Sequence, residues 1–286
     1  MDIKKSLEEL DKLFAEKKIN EVDGFLKGKL KEAEEEDDTN SIITLVNELI
    51  GFYRVTSRFN DCLVYCDYIV SLMEELELKG TIPYATTLLN VATALRAAGK
   101  SEEALEYYSQ VLEIYIVNLK NNDFRFASLY NNMSLLYQEM KEYNKACDCL
   151  KKALEIVVQY KGSEIEAAVT HSNLAMSLLK LDKTDEAVKH IEEALDIFEK
   201  SSAQEDIHYP SALSAMGEAQ FKLKNYDKAI DYYLNSLKAI KSSLGENKSY
   251  GITCSNLSVV YKEIGNVSEA DKYKSKAEEI SAKLKK

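Results

Sequence analysis

Between Ala127 and Ile156 the apolar residues recur at helical spacing twice over. Leu129, Met133, Leu136, Tyr137 and Met140 form one stripe, close to the i, i+3, i+4, i+7 series of a half-buried helix. After the polar pair Lys141-Glu142, a second stripe runs through Ala146, Leu150, Ala153, Leu154 and Val157. Two helices joined by so short a turn lie antiparallel, as a hairpin. The pattern then returns along the whole chain. With Ala146 as the marker, small residues stand at the equivalent place at Cys62, Ala104, Ala187, Ala229 and Ala270, 41 or 42 residues apart, and a weaker match lies at Val22, 40 before Cys62. Turn signals precede the markers at Gly99-Lys100, Asp182-Lys183, Lys224-Asn225 and Gly265-Asn266. A lone hairpin cannot cover its own apolar stripe, so its neighbours must cover it. The expectation is an all-α fold of about seven antiparallel helix pairs. They form a single array over residues 1–286, with an atypical first copy at 1–40 and six regular copies over 41–286.

Two further rows accompany the marker. Twelve residues before it stand Ile50, Ala92, Ser134, Ala175, Gly217 and Ser258, mostly small. Nine before it stand Tyr53, Leu95, Tyr137, Leu178, Gln220 and Tyr261, mostly large. Small residues at the marker and at the first row let the paired helices approach toward the lower end of the roughly 8–10 Å interaxial range. Small, large, small at fixed offsets resembles the tetratricopeptide repeat (TPR), over the whole length of the chain. The period exceeds the usual 34 of that family by about two helical turns in all. With HSNLAMSLL (171–179), KKALEIV (151–157) and SLGENKSYGITCSNLSVVY (243–261), this longer form is similar to the repeats of kinesin light chains and their bacterial relatives. Residues 1–286 contain no heptad coiled coil like the one that precedes the repeats in kinesin light chains, and the Pro-centred turn survives only at Pro83 and Pro210. Motor binding is therefore not implied. The resemblance implies a right-handed superhelical TPR solenoid whose first helices line a concave surface.

Composition adds limits. Ten Gly and two Pro in 286 residues suit helices joined by short turns. The net charge of −11 opposes binding to nucleic acid or to an anionic membrane, which want clustered Lys and Arg. The start, MDIKKSLEELDKLF, lacks the apolar core of a signal peptide, and no apolar run reaches the roughly 18 to 20 residues of a membrane span. A cytoplasmic location is expected. Five scattered cysteines, Cys62, Cys66, Cys147, Cys149 and Cys254, make no disulfide framework and no zinc site, and read as small buried apolar residues. The acidic run KEAEEEDDTN (31–40) is either a dock for a basic partner or a solvated helix end. The charged terminal KAEEISAKLKK suits a last helix with a wet outer face.

No phosphate-binding loop, GxSxG or HExxH is present, so no catalytic residue, metal or cofactor is expected. His171 and His208 fall near the starts of adjacent first helices and read as ordinary side chains. The informative row lies fourteen residues before the marker: Glu48, Asn90, Asn132, Asn173, Ala215 and Asn256. Asn inside a helix costs roughly 0.5 kcal/mol against Ala, so its recurrence asks for a role. The resemblance supplies one, holding the backbone of a bound peptide, and a carboxamide has the donor and the acceptor to do so. Capping of a neighbouring turn is the alternative. Same-face neighbours include Thr86, Thr93, Ser128, Leu135, Val169, Met176, Ile252 and Val259, with Asn131 as a second amide in the central repeat. One turn on stand Ala97, Glu139, Lys180, Lys222 and Glu263. Inner positions without Lys or Arg argue against an acidic chaperone tail and for an extended segment with one or two apolar anchors.

The expected function is a non-enzymatic protein- or peptide-binding adaptor. Its groove residues are Asn90, Thr93, Asn131, Asn132, Leu135, Asn173, Met176, Asn256 and Val259. The alternatives are a sensor of a small signalling peptide and a self-associating structural array. The oligomeric state stays open, with a monomer favoured.

Overall fold

The computed structural model describes residues 1–204 and 206–283, and among them it contains fourteen α-helices and no strand. They divide into two compact units, residues 1–121 and 122–286. In the first unit the hairpins are α1 (Ile3–Ala15) with α2 (Ile19–Glu35), α3 (Thr39–Val55) with α4 (Phe59–Glu75), and α5 (Ile82–Ala97) with α6 (Ser101–Asn118). In the second they are α7 (Phe124–Glu139) with α8 (Tyr143–Val157), α9 (Glu164–Lys180) with α10 (Thr184–Lys200), α11 (Tyr209–Lys222) with α12 (Tyr226–Leu244), and α13 (Lys248–Glu263) with α14 (Val267–Lys283).

The seven turns inside the hairpins are copies of one another. Five residues before each marker the backbone is left-handed, at Lys17, Ser57, Gly99, Lys141, Asp182, Lys224 and Gly265, with φ between 57° and 80°. The next residue's N–H then returns to the carbonyl nine before the marker: Lys18 to Leu13, Arg58 to Tyr53, Lys100 to Leu95, Glu142 to Tyr137, Lys183 to Leu178, Asn225 to Gln220 and Asn266 to Tyr261. This six-to-one bond closes a helix end in the Schellman manner. The atypical first copy obeys the same rule, with Val22 fully buried as its marker.

The marker alanines and Cys62 are buried where the two helices of a hairpin touch. Cys62 Sγ lies 3.4 Å from the Ile50 carbonyl, and Ser258 Oγ donates to the Ala270 carbonyl at 2.7 Å. Both contacts join the marker row to the small row twelve before it, so bulk at either place would force the helices apart. At Gly217 even a methyl would meet the Tyr233 ring at 2.9 Å. All five cysteines are buried free thiols. Burial, with smaller contributions from Asp148 and Glu246, pushes Cys149 and Cys254 up to about 11, which leaves these thiols uncharged.

Neighbouring hairpins are stitched by polar contacts as well as by apolar ones. In the first unit Tyr53 donates its hydroxyl to Asp23 at 2.5 Å, Arg58 bonds Asp23 at 3.0 Å, and the Arg58 guanidinium lies 4.5 Å from the Tyr53 ring centre. Asp38, within the acidic run, caps α3 through the Ser41 N–H. In the second unit Lys180 pairs with Glu218 at 2.7 Å and Lys222 with Asp182 at 2.5 Å, each across successive hairpins. The last hairpin changes character on its outer side. Leu150, Ile191 and Tyr233 are buried four residues after their markers, and Lys274 stands exposed at the equivalent place on α14. Glu278 likewise replaces Leu154, Leu195 and Leu237.

First helices line one layer and second helices the other. Within the units α3 packs on α5, α7 on α9, α9 on α11 and α11 on α13, and the second helices make no comparable contact with one another. Closer spacing on the side of the first helices curves each stack toward them.

Candidate functional site

The exposed stripe of each first helix follows the offsets read from the sequence. Eighteen, fourteen, eleven and seven residues before the marker, the side chains are exposed or half-buried, apart from the buried Ala215. In the second unit this stripe holds apolar groups in the open: Met176 is 38% exposed, Ile252 52% and Val259 52%. Leu135 is half-buried. These apolar side chains are only partly covered, on the face where successive first helices meet.

The amides divide into two kinds. Asn90 Nδ2 donates to Asn47 Oδ1 at 2.8 Å, from α5 to α3. Asn131 Nδ2 donates to the Ala127 carbonyl and to Thr170 Oγ1, both at 3.1 Å, and so ties α7 to α9. Asn132 donates to the Ser128 carbonyl of its own helix at 2.9 Å, and its oxygen accepts nothing among the described residues. Asn173 and Asn256 are different: among the described residues neither carboxamide has a hydrogen-bond partner. Only the backbone carbonyl of Asn173 is engaged, by Gln138 Nε2 at 3.1 Å and Ser177 Oγ at 3.2 Å. Thr93 turns its hydroxyl toward the second helix of its hairpin, 3.2 Å from the Tyr108 hydroxyl.

Between the two open amides the row is interrupted. α11 carries Ala215 where its neighbours carry Asn, with Ser211 and Ser214 beside it. Small residues there leave a recess of about 330 Å³ over α11. Its walls are Met176 from α9, Ile252 and Asn256 from α13, Ile240 from α12, and Ile207 ahead of α11. The floor is a closed hydroxyl network: Ser214 Oγ lies 2.7 Å from Ser236 Oγ and 3.2 Å from Thr253 Oγ1, and Ser236 donates to the Pro210 carbonyl at 2.8 Å. Lys180 and Glu218 stand at the mouth, paired with each other. The sequence signal for this recess is Ala215, standing in the row where its neighbours have Asn.

The histidines arrange themselves otherwise than as His171 with His208. His171 on α9 places Nδ1 2.8 Å from Nδ1 of His190 on α10, inside one hairpin. One ring donates and the other accepts. Burial holds both below the ordinary value of 6.5, and His190 lowers His171 further. His208 is exposed ahead of α11. Among the described residues no three His, Cys, Asp or Glu come together as metal ligands. No helix among them is long and apolar enough to cross a membrane.

Residues 41–116, 125–200 and 209–283 each match the tetratricopeptide repeat. The chain belongs to the tetratricopeptide repeat family. Each matched stretch holds two TPR hairpins, and the first copy lies outside all three. Protein KINESIN LIGHT CHAIN-RELATED 3 of Arabidopsis thaliana is 25% identical over 238 residues, 81% of this chain and 36% of that protein. The chain thus spans little more than a third of this curated relative. Among solved structures, BtubC (BKLC) from P. vanneervenii superposes with a TM-score of 0.62 at 22% identity, over 79% of this chain and 92% of that one. A Rap protein complexed with Competence and Sporulation Factor does so with a TM-score of 0.71 at 13% identity, over 98% and 76%. At these identities both speak for the TPR fold. The long repeats are similar to those of kinesin light chain-related proteins, as the motifs implied.

Proposed function

We propose that this TPR protein is a non-enzymatic, cytoplasmic adaptor that holds an extended protein or peptide segment on the exposed face of its first helices. The supporting observation is the pair of unbonded carboxamides, Asn173 and Asn256, beside the exposed Met176, Ile252 and Val259. Asn at a helix interior is unfavourable by roughly 0.5 kcal/mol against Ala. Asn90 and Asn131 recover that cost through bonds to neighbouring helices. Asn173 and Asn256 recover nothing inside the protein, and a peptide backbone offers the donor and acceptor they lack. Asn132, Leu135, Met176 and Val259 complete the face in the second unit, whereas Asn90, Asn131 and Thr93 serve it by positioning helices.

Selection of displayed peptides on the wild type and on an Asn173→Ala plus Asn256→Ala variant tests this. The reading expects peptides that the variant holds about tenfold or more weakly at unchanged helicity. Equal binding by both proteins would contradict it. A second reading, a sensor of a small peptide, draws support from the likeness to the Rap protein complexed with Competence and Sporulation Factor. A short defined peptide that raises the melting temperature would favour it. The adaptor reading expects a monomer, which sedimentation over a wide concentration range checks.

A further inference from the structure

We infer that the recess over α11 takes one uncharged aliphatic side chain of an extended segment, whose backbone is held by Asn173 on one side and Asn256 on the other. The inference rests on the peptide-binding reading above and adds to it an anchor class and a register. The size of the recess, about 330 Å³, sits at the low end of the roughly 300–1,000 Å³ of ligand pockets. Its walls at Met176, Ile207, Ile240 and Ile252 are apolar.

Charge and hydrogen bonding select the occupant. The Lys180 ammonium at the mouth is bonded to Glu218 at 2.7 Å, so no uncompensated charge faces an incoming group. A charged side chain would lose its water and gain no partner. The floor hydroxyls of Ser214, Ser236 and Thr253 are bonded to one another or to backbone carbonyls. The other hydrogen-bonding side chains of the lining are Ser211, Ser249 and Asn256, with the Asn256 amide assigned to the backbone of the segment, and against the four apolar walls an aliphatic side chain loses nothing by entering.

The register follows from helix spacing. Asn173, Ala215 and Asn256 occupy the same place on three successive first helices. Packed helices lie roughly 8–10 Å apart, so the two amides are separated by roughly 16–20 Å across the recess. An extended chain advances about 3.3 Å per residue and spans that gap in five or six residues. The anchor therefore falls at the centre of a five- or six-residue window. Its immediate neighbours point away from the protein, because side chains alternate along an extended chain.

A positional-scanning library of N-acetylated, C-amidated nonapeptides, titrated against the full chain, tests this. One position should demand Leu, Ile, Met or Val, and Ala there should weaken binding about thirtyfold. Ala215→Leu, which fills the recess, should weaken the selected peptide by a similar factor. Combined with the Ala-substituted peptide it should cost no more than either change alone. Should Ala215→Leu lose its helical circular dichroism, Ser211→Leu at the exposed mouth replaces it with the same expectation. Peptides that depend on Asn173 and Asn256 but show no aliphatic position and ignore the filled recess would overturn the pocket and leave the groove reading standing. Peptides indifferent to both asparagines, or no binding by the wild type, would overturn the groove reading and the pocket with it.

Discussion

In residues 1–121 the repeating amide is taken up by the fold, and in residues 122–286 two of its copies are left open. Asn90 donates Nδ2 to Asn47 Oδ1 on the neighbouring first helix, 43 positions away, and Asn47 donates in turn to the Ile43 carbonyl. Asn173 and Asn256 stand at the same offset from their markers, and their carboxamides bond nothing among the described residues. The eighteen- and eleven-residue offsets of the stripe also differ, although Val55, seven residues before its marker, is 65% exposed in the first unit. Thr44, Thr86 and Thr93 occupy the stripe in the first unit, where the second unit has Met176, Ile252 and Val259. One residue type at one helical position thus does two jobs. A hydrogen bond returns about 0.5–1.5 kcal/mol and makes the amide part of the packing, whereas an open amide keeps its cost and keeps its donor and acceptor for something else.

The largest expected effect is on Asn131. Its replacement by Ala removes the link to Thr170 and should lower stability by about 1–2 kcal/mol in urea unfolding, with peptide affinity unchanged. A matching loss of affinity at full stability would break the division between bonded and open amides. The histidine pair supplies the next effect, within the second unit. His171 and His190 are both held below 6.5, so the unfolded chain binds protons more readily there. Stability is complete above pH 6.5 and is lost as the pH falls through that value toward the folded-state values. Glu186 and Glu193 on α10 oppose the shift and Lys151 on α8 reinforces it at His190. Thermal melts at pH 7.5 and 5.5 should show a drop of a few degrees. It should shrink in His190→Tyr, since Tyr65, Tyr107, Tyr232 and Tyr273 fill the same place in other hairpins. An unchanged drop would place the acid sensitivity elsewhere. The smallest effect belongs to Asn90→Ala, whose exposed bond to Asn47 is worth about 0.5 kcal/mol and whose loss should leave peptide binding intact.

Much of this was legible in the residues. The 41–42 spacing of Cys62, Ala104, Ala146, Ala187, Ala229 and Ala270 marks six hairpins, and each of those residues is buried at a helix–helix contact. The exposed stripe was legible too, because offsets along a helix determine which residues share a face. What the pattern could not supply was pairing between repeats. Asn47 and Asn90 are 43 apart and Asn131 and Thr170 are 39 apart, so neither bond follows the period. A one- or two-residue offset across the helix contact decides which amide finds a partner, and that offset depends on how the helices pack. The His171–His190 pair was hidden for the same reason, since it joins two helices of one hairpin across 19 residues. Five of the seven left-handed turn residues are not Gly, so Lys17, Ser57, Lys141, Asp182 and Lys224 gave no glycine signal for the conformation they adopt.

The most direct measurement needs no ligand: the unfolding free energy of the Asn173→Ala plus Asn256→Ala variant in urea, set beside the wild type. Two open amides replaced by the best helix former should leave the variant as stable as the wild type, or more stable by about 1 kcal/mol. A loss of about 1 kcal/mol or more would show that these carboxamides serve the fold, and would contradict their assignment to a bound segment.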